Sequence, residues 1–243
     1  FIRSVGHGKP GNSWHWQVHG RGKRSITLNL RVPEGQELLR RLAGWADVLI
    51  ENMRPGTMAR WGLGYEQLSK VNPRLVYLSV SGWGQTGPYR DRPSYEFAAA
   101  AFAGLTYVTG FPEHPPVLPG MAIMDHTAAM FGVIGVLEAI RRRDAQGKDG
   151  RGCHIDVALY EPAIRISNEL IASYAATGRA HQREGSIPSG RDVPHVSYGY
   201  VYETRDGRYV SCFAASRAEF NRLVEMIGRP DFVDDPRFAT EKQ

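Results

Sequence analysis

The stretch ADVLIENMRPGTMARWGLGYEQLSKVNPRLVYLSVS, residues 46–81, decides the fold class of this 243-residue chain. It contains two short apolar runs, residues 46–52 and 75–81, and runs of this length are typical of buried strands. Between them, YEQLSKV (65–71) predicts a helix that ends before Pro73. Two buried strands joined through a helix predict a parallel sheet with helices on both faces.

The sequence on either side continues the alternation of strands and helices. Upstream, SITLNL (25–30) predicts a strand, and residues 33–46 predict a helix with a proline near its start. Downstream, the predicted elements are a helix over 94–105, a long helix over 126–144, a strand over 153–159 and a helix over 161–178. We therefore predict an α/β fold with an open, mostly parallel sheet and flanking helices, incomplete at its N-terminus.

The character of the sequence changes after residue 185. Residues 183–197 are polar and rich in Gly and Pro, which is typical of a loop. The segments YGYVYET (198–204) and YVSCFA (209–214) predict a β-hairpin, and a helix follows. We predict a large α/β domain over residues 1–185, a linker over 186–197 and the start of a smaller α+β domain over 198–243.

The composition is that of an ordinary globular protein, with 42% apolar and 23% charged residues. No run of about eighteen apolar residues is present, so we expect no membrane span. The net charge of +5 is modest and favours an anionic small ligand over nucleic acid as a partner. Cys153 and Cys212 match no disulfide framework and no paired metal motif, so we expect a cytoplasmic protein. The chain begins without Met and without an apolar signal core, and we expect it to be a fragment.

The residues Gly82-Trp-Gly-Gln-Thr-Gly87 form a G-x-G-x-x-G pattern after a predicted strand. The dinucleotide-binding pattern also requires a helix that opens at the glycines, whereas here the loop Pro88–Pro93 follows. A turn that lets another group approach the backbone closely is the better interpretation. His15 and His19 have a spacing that suits one metal ion on a helix, but no third ligand lies nearby, so we predict no metal site.

Asp125 opens the strongest helix prediction in the chain, directly after the apolar stretch Met121–Met124. One interpretation is an N-cap residue, whose carboxylate accepts backbone N–H bonds and complements the helix dipole. The other interpretation uses the same physics. A carboxylate held ionised at a helix start, beside N–H groups that stabilise an oxyanion, can act as a covalent nucleophile. One residue can serve as both, so both interpretations stay open.

Basic residues recur in loops beside the predicted strand ends, and each group alone is most often a solvated face. Together they can gather the phosphates of an anionic ligand at the edge where open parallel sheets bind ligands. The groups are Arg21, Lys23 and Arg24; Arg54 and Arg60; and Arg90 and Arg92.

Three long stretches, residues 20–68, 72–96 and 124–161, carry the motifs NMRPGT, SGWGQTGPYRDRPSYE and MDHTAAM. They resemble the class III coenzyme A transferases, a family that includes formyl-CoA, carnitine and succinyl-CoA transferases. The resemblance implies a nucleotide-binding-like α/β domain and a small domain, in a homodimer whose two protomers interlock like chain links. It implies that acyl-CoA and carboxylic acids are the small-molecule partners.

The resemblance also implies roles for individual residues. Asp125 matches the family's catalytic aspartate, which attacks an acyl-CoA thioester and forms mixed-anhydride and aspartyl-CoA thioester intermediates. Glu96 matches an acidic residue that contacts the nucleophile in some members, so the ionisation of two carboxylates would be coupled. Coenzyme A is a substrate, and no permanently bound cofactor or metal is implied. The family's positions at the CoA site fall on Leu28, Asn29, Arg31, Asn52, Met53, Arg54, Arg60, Arg92 and Tyr95.

Two rival functions stay open. An α-methylacyl-CoA racemase shares the fold, but such racemases carry a His-Asp pair where this chain has Tyr95-Glu96, and proton abstraction needs that base. A CoA-binding module without catalysis is the second rival, and the retained Asp125 argues against it. A glycine-rich closing loop of the oxalate-linked members is not evident between Gly185 and Pro194, which argues against a formyl-CoA and oxalate pair.

Overall fold

A three-stranded parallel sheet forms the centre of the structure. The structure is a computed structural model, and it describes residues 2–4, 6–9, 12–185, 198–214 and 216–238. In chain order the elements are β1 (Gly8–Lys9), β2 (Asn12–Ser13), α1 (Trp14–Gly20), α2 (Pro33–Ala43), β3 (Val48–Glu51), α3 (Thr57–Arg60), α4 (Tyr65–Val71), β4 (Val76–Ser81), α5 (Glu96–Phe102), α6 (Leu105–Val108), α7 (Ile123–Ala145), β5 (His154–Ala158), α8 (Glu161–Ile166), α9 (Asn168–Thr177), β6 (Tyr198–Glu203), β7 (Tyr209–Ala214) and α10 (Arg217–Met226).

The three central strands lie in the order β3, β4, β5, and all run parallel. Val48 of β3 lies opposite Val76 of β4, and Tyr77 of β4 lies opposite His154 of β5. The central strand β4 is buried from Val76 to Ser79, because helices cover both of its faces. The predicted α/β class, with a parallel sheet and flanking helices, is therefore confirmed.

Two apolar clusters pack on opposite faces of the sheet, because successive side chains of a strand point to opposite sides. Tyr77 faces a cluster formed with the first helices of the chain: Ala43, Leu49, Met58, Leu63, Leu68 and Leu75. Leu78 faces a cluster formed with α5, α7 and α8: Ala99, Ala100, Met124, Ala128, Val157, Leu159 and Ala163. The helix α7 approaches the sheet closely at Gly132, where a methyl group would come within 2.9 Å of Leu78 Cδ2.

The long helix α7 combines a packed face with an exposed one. By length and composition it is the one helix of the described residues that could cross a membrane, a criterion that core helices of soluble proteins also meet. Its packed face contacts β4, β5 and α8. Five large apolar side chains of this helix are exposed: Met130, Phe131, Val133, Ile134 and Leu137. We refer to these five side chains as the exposed face of α7.

The strand predicted for SITLNL is wrong. Residues 25–30 have no regular secondary structure, and Ile26 is 69% exposed. The alternation of polar and apolar residues suits a strand, but a strand also needs a neighbour that satisfies its backbone N–H and C=O groups, and the described sheet supplies none here. The segment instead leads into α2, where the Asn29 carbonyl comes so close that any side chain on Gly35 would overlap it.

Two helix predictions also need correction. The helix predicted over 161–178 is two helices, α8 and α9, which meet at Ser167. The hydroxyl of Ser167 donates to the Ala163 carbonyl at 2.7 Å, and such local bonds compete with a continuous helix. The helix predicted over 94–105 is likewise α5 followed by α6, because Gly104 between them has a φ of 84°.

The predicted hairpin and helix form near the end of the chain. β6 and β7 pair antiparallel, and Ala214, Phe220 and Val224 form a small apolar cluster between β7 and α10. The linker predicted over 186–197 lies outside the described residues. The hairpin is therefore confirmed, and the division into two domains stays a prediction.

Candidate active site

The carboxylate of Glu96 binds the start of α7. Glu96 is the first residue of α5 and is only 8% exposed. Its Oε1 accepts the backbone N–H of Met124 at 3.0 Å, and its Oε2 accepts that of Asp125 at 2.8 Å. A carboxylate in this position satisfies two N–H groups that a helix leaves without partners and complements the helix dipole. Glu96 is therefore a capping group that another helix supplies.

Asp125 is the third residue of α7 rather than its N-cap. The N-cap position is Ala122, whose carbonyl accepts the His126 N–H at 3.2 Å. The Ile123 N–H donates to the Met121 carbonyl at 2.9 Å, and the capping carboxylate takes the two N–H groups in between. The N-cap interpretation is therefore wrong, and no backbone N–H of this first turn is free to stabilise an oxyanion.

The side chain of Asp125 reaches solvent, and the pKa of its carboxyl group is raised. Partial desolvation against the protein surface is the main cause, and the negative charge of Glu96 adds to it. His126 acts in the opposite direction and lowers this pKa. The start of α7 therefore does not lower the pKa of Asp125, because Glu96 occupies the N–H groups that would stabilise its charged form. The structure does bring the two acids together, through the backbone of Asp125.

Three imidazole rings form a row beside the start of α7. The rings of His15 and His19 are 4.4 Å apart, and those of His19 and His126 are 5.9 Å apart. His126 Nδ1 lies 2.6 Å from the Ala122 oxygen and must donate to it, because a carbonyl oxygen only accepts. The first two rings are on α1, a helix that the sequence does not predict. Within the described ranges, no cluster of three His, Cys, Asp or Glu side chains is arranged to hold a metal ion.

Four of the residues predicted at the CoA site follow β3 directly. Asn52, Met53 and Arg54 lie on the turn after this strand, and Arg60 ends the short helix α3. All four are exposed, and Arg60 Nη2 donates to Thr57 Oγ1 at 3.0 Å. They are therefore at the carboxyl end of a parallel strand, where open sheets bind ligands.

Leu28, Asn29 and Arg31 lie in the irregular segment before α2. Asn29 Oδ1 accepts the backbone N–H of Arg31 at 3.1 Å, and Leu28 is half-buried. No hydrogen bond or ion pair in the described structure joins these three residues to Arg54 or Arg60. These seven predicted CoA residues therefore lie on two segments of the chain, one before α2 and one after β3.

Arg92 and Tyr95 lie on the loop that precedes α5. The guanidinium group of Arg92 stacks over Tyr89, 4.1 Å from the ring centre. Tyr95 is 81% exposed and occupies the N-cap position of α5, next to Glu96. Tyr95 is therefore the predicted ligand-binding residue that lies nearest in the chain to the two carboxylates.

The glycine-rich loop, residues 82–92, has a fixed position after β4. At Gly82 a methyl group would lie 2.1 Å from Ser94 Cβ, so only glycine fits there. The Gln85 N–H donates to Asp156 Oδ2 at 2.7 Å. The predicted close approach at this loop is present, and no helix opens at the glycines, so the dinucleotide-binding pattern is incomplete.

A cavity of about 230 Å³ lies between this loop, α4 and the turn after β3. Its lining includes two arginines, an amide and two aromatic rings from four different parts of the chain: Arg54, Tyr65, Gln85, Arg90 and His154. Cavities with apolar walls and a few convergent polar groups are the usual form of small-molecule sites. This cavity and the carboxylate pair are two features of the described structure that can take part in ligand chemistry.

Comparison with known proteins assigns the family. The family model described as CoA-transferase family III matches residues 2–243. The chain belongs to this family. It is 42% identical over 233 residues to the beta subunit of a succinyl-CoA–L-malate CoA-transferase from Chloroflexus aurantiacus, over 96% of this chain and 56% of the relative. It is 39% identical over 236 residues to a succinyl-CoA–D-citramalate CoA-transferase of the same organism, over 97% of this chain and 57% of the relative.

The fold agrees with this assignment. A solved structure of a CAIB/BAIF family protein from Brucella suis matches with a TM-score of 0.83 and 33% identity, over 99% of this chain and 63% of that chain. The resemblance to the CoA-transferase family that the sequence showed is therefore confirmed. The chain of this CoA-transferase family III member spans about half the length of the curated relatives it matches.

Three features of the site have no counterpart among the sequence predictions. His126 follows Asp125 directly, and this position beside the candidate nucleophile was the one available signal. Gln85 lies within the glycine pattern, but such a pattern does not show which side chain enters a cavity. Glu96 caps a helix whose Met124 lies 28 positions further along the chain, and a local sequence pattern does not predict a contact between residues so far apart.

Proposed function

We propose that this protein is an acyl-CoA:carboxylate CoA-transferase in which the Asp125 carboxylate is the nucleophile. One observation carries the proposal. Glu96 takes the N–H groups at the start of α7, which leaves the Asp125 carboxylate open to solvent and without a hydrogen bond to the described residues. A carboxylate that is not occupied as a helix cap is free to attack an acyl group. Membership of CoA-transferase family III supports the same assignment.

The exchange would proceed by acyl transfers at one carboxylate. Asp125 attacks the thioester carbonyl of the donor, the carbon–sulfur bond breaks, and an acyl-aspartyl anhydride and a CoA thiolate form. The thiolate attacks the aspartyl carbonyl, expels the donor acid as its carboxylate and leaves an aspartyl-CoA thioester. The acceptor carboxylate then repeats the two steps in reverse, so atoms and charge balance without net proton uptake.

Glu96 favours acylation through its charge. Burial is the main cause of the raised pKa of Asp125, and repulsion by the Glu96 carboxylate adds to it, which makes the attacking oxygen more basic. Acylation converts Asp125 into a neutral anhydride or thioester, so the repulsion is relieved as the covalent intermediate forms. The pair of carboxylates therefore stabilises the acylated enzyme relative to the free enzyme.

For the substrates we propose a succinyl-CoA donor and a short hydroxydicarboxylic acid as the acceptor. The support comes from the two relatives at 42% and 39% identity, which are named for succinyl-CoA with L-malate and with D-citramalate. In this scheme CoA enters and leaves as a substrate, and the chemistry requires no resident cofactor.

We also propose that the protein forms a homodimer and acts in the cytoplasm. The exposed face of α7 supports a dimer, because contiguous exposed apolar residues mark contacts with other chains. Cys153 and Cys212 are both free thiols, which agrees with a reducing compartment.

Trapping the covalent intermediate tests the proposal. The full-length protein is incubated with succinyl-CoA and analysed by intact-mass spectrometry, and we expect a CoA adduct on the wild type that Asp125→Asn lacks. Asp149→Asn is the matched control, because Asp149 is exposed beyond the far end of α7, and it should keep both the adduct and the exchange rate. Exchange at the normal rate by Asp125→Asn would refute the proposal.

The same samples separate the rival functions. Solvent deuterium that appears at the α-carbon of an α-methylacyl-CoA, without an adduct on Asp125, would identify a racemase. CoA binding with neither reaction would identify a binding module.

A further inference from the structure

Two guanidinium groups converge beside Gly56, on the turn after β3. A methyl group placed on Gly56 would lie 3.5 Å from Arg60 Nη1 and 3.6 Å from Arg90 Nη2. Gly56 has a φ of 78°, a conformation that favours glycine. The two arginines therefore face the same point from different parts of the chain, one from α3 and the other from the glycine-rich loop.

Neighbouring groups leave the charge of this pair largely uncompensated. Arg60 donates to a neutral hydroxyl, that of Thr57. Arg90 makes an ion pair with Asp91 at 3.4 Å, and both side chains of that pair are exposed. An exposed ion pair contributes little, because water screens it. Two cations that face one point repel each other. An anion bound between them would attract both guanidinium groups and offset this repulsion.

The same loop places a hydrogen-bond donor in the adjoining cavity. Gln85 and Arg90 both line the cavity of about 230 Å³, together with Arg54. Gln85 Nε2 is buried and finds no acceptor in the described structure. Its backbone N–H is bound to Asp156, which fixes the position of the residue. Buried polar groups in folded proteins are almost always paired, so an acceptor on a ligand is the expected partner of this amide.

Two acids of the cavity determine where the anion would lie. Glu51 and Glu66 balance the two lining arginines in charge, and Glu51 Oε2 accepts the Met53 N–H at 2.8 Å. Arg60 adds a third positive charge only at the turn beside Gly56. The anion is therefore expected at this turn, at the mouth of the cavity.

We propose that Arg90 and Gln85 bind a phosphate group of the CoA substrate together with Arg60, at the turn beside Gly56. A phosphate suits this place because its oxygens can accept from two guanidinium groups and an amide at the same time. The inference rests on the proposed function and adds two residues of the glycine-rich loop that the family resemblance does not assign to CoA.

Calorimetric titration of the full-length protein with CoA tests the inference without requiring turnover. Arg90→Gln should raise the Kd for CoA about 10- to 100-fold, because it removes a charge-assisted contact to the phosphate. Gln85→Leu should raise it several-fold, and Arg90→Lys should restore most of the affinity. Pantetheine has no phosphate and should bind Arg90→Gln as well as it binds the wild type. Arg165→Gln, which removes an exposed arginine on α8 at the opposite face of the sheet, should leave the CoA affinity unchanged.

An unchanged CoA affinity in Arg90→Gln, or an equal loss for CoA and pantetheine, would overturn the inference and leave the proposed function standing. A wild-type protein that binds no CoA would overturn both. Arg90 is exposed, so its replacement should leave the fold intact, and circular dichroism of each variant verifies this.

Discussion

Replacing Glu96 with Ala removes the acceptor for two backbone N–H groups at the start of α7. The Met124 N–H is buried, and the Asp125 N–H is partly buried. A buried donor left without a partner costs about 1–3 kcal/mol, and the partly buried one can regain a water, so the free energy of unfolding should fall by roughly 2–4 kcal/mol. For a protein of this size, such a loss lowers the thermal midpoint by about 5–15 °C.

Urea denaturation followed by circular dichroism measures this loss. Glu34→Ala is the matched control, because Glu34 also lies in the first turn of a helix, α2, but is exposed and makes no side-chain hydrogen bond in the described structure. It should change the free energy of unfolding by less than about 0.5 kcal/mol. Glu96→Gln keeps one carbonyl acceptor, so its free energy of unfolding should lie between those of Glu96→Ala and Glu34→Ala. If Glu96→Ala is as stable as Glu34→Ala, the Glu96 carboxylate does not cap α7. The proposed nucleophile Asp125 then loses the observation that supports it.

Two further predictions concern the two ends of α7. His126→Gln removes a group that lowers the pKa of Asp125, so this pKa should rise and the acidic limb of adduct formation should move to higher pH. Single-turnover rates measured across the acidic range check the direction, and a shift to lower pH would contradict it. Arg143→Ala should lower the free energy of unfolding by about 2–4 kcal/mol, because the residue is 4% exposed and makes three hydrogen bonds. Arg141→Ala, at an exposed position of the same helix, should cost less than about 0.5 kcal/mol in the same urea assay, and equal losses would contradict the role of the buried contacts.

The central sheet can be predicted from the sequence because buried parallel strands are continuous apolar runs. β3 and β4 lie within the predicted segments for this reason, and β5 lies within the strand predicted over 153–159. The strand predicted over 25–30 fails, since its pattern is right but no neighbouring strand is available in the described chain. The helix α1 is missed because Trp and His have weak helix propensity, and its start depends on one side-chain cap from Ser13.

The candidate site shows a different limit. The family resemblance predicts that Asp125 and Glu96 belong to the active site, whereas the local pattern around Asp125 favours an N-cap residue. Whether Glu96 or Asp125 caps α7 depends on contacts between residues 28 and 29 positions apart in the chain. In the structure, the Glu96 carboxylate accepts the N–H groups of Met124 and Asp125. A helix start offers few such groups, and Glu96 takes the two at Met124 and Asp125, so the Asp125 carboxylate is left for the role that we propose for it.

The helix α7 is anchored at both of its ends. Glu96 ties its start to α5, and at its last turn Arg143 binds Asp47 and the Arg74 carbonyl, on the segments that lead into β3 and β4. At 1.5 Å per residue, Asp125 and Arg143 are roughly 27 Å apart along the axis. Because a continuous helix moves largely as one body, we expect that loosening the Arg143 contacts would also shift the start of α7, where Asp125 lies. Variants of this chain that alter the surroundings of Asp125 would therefore need to preserve the contacts of Arg143 as well as those of Glu96.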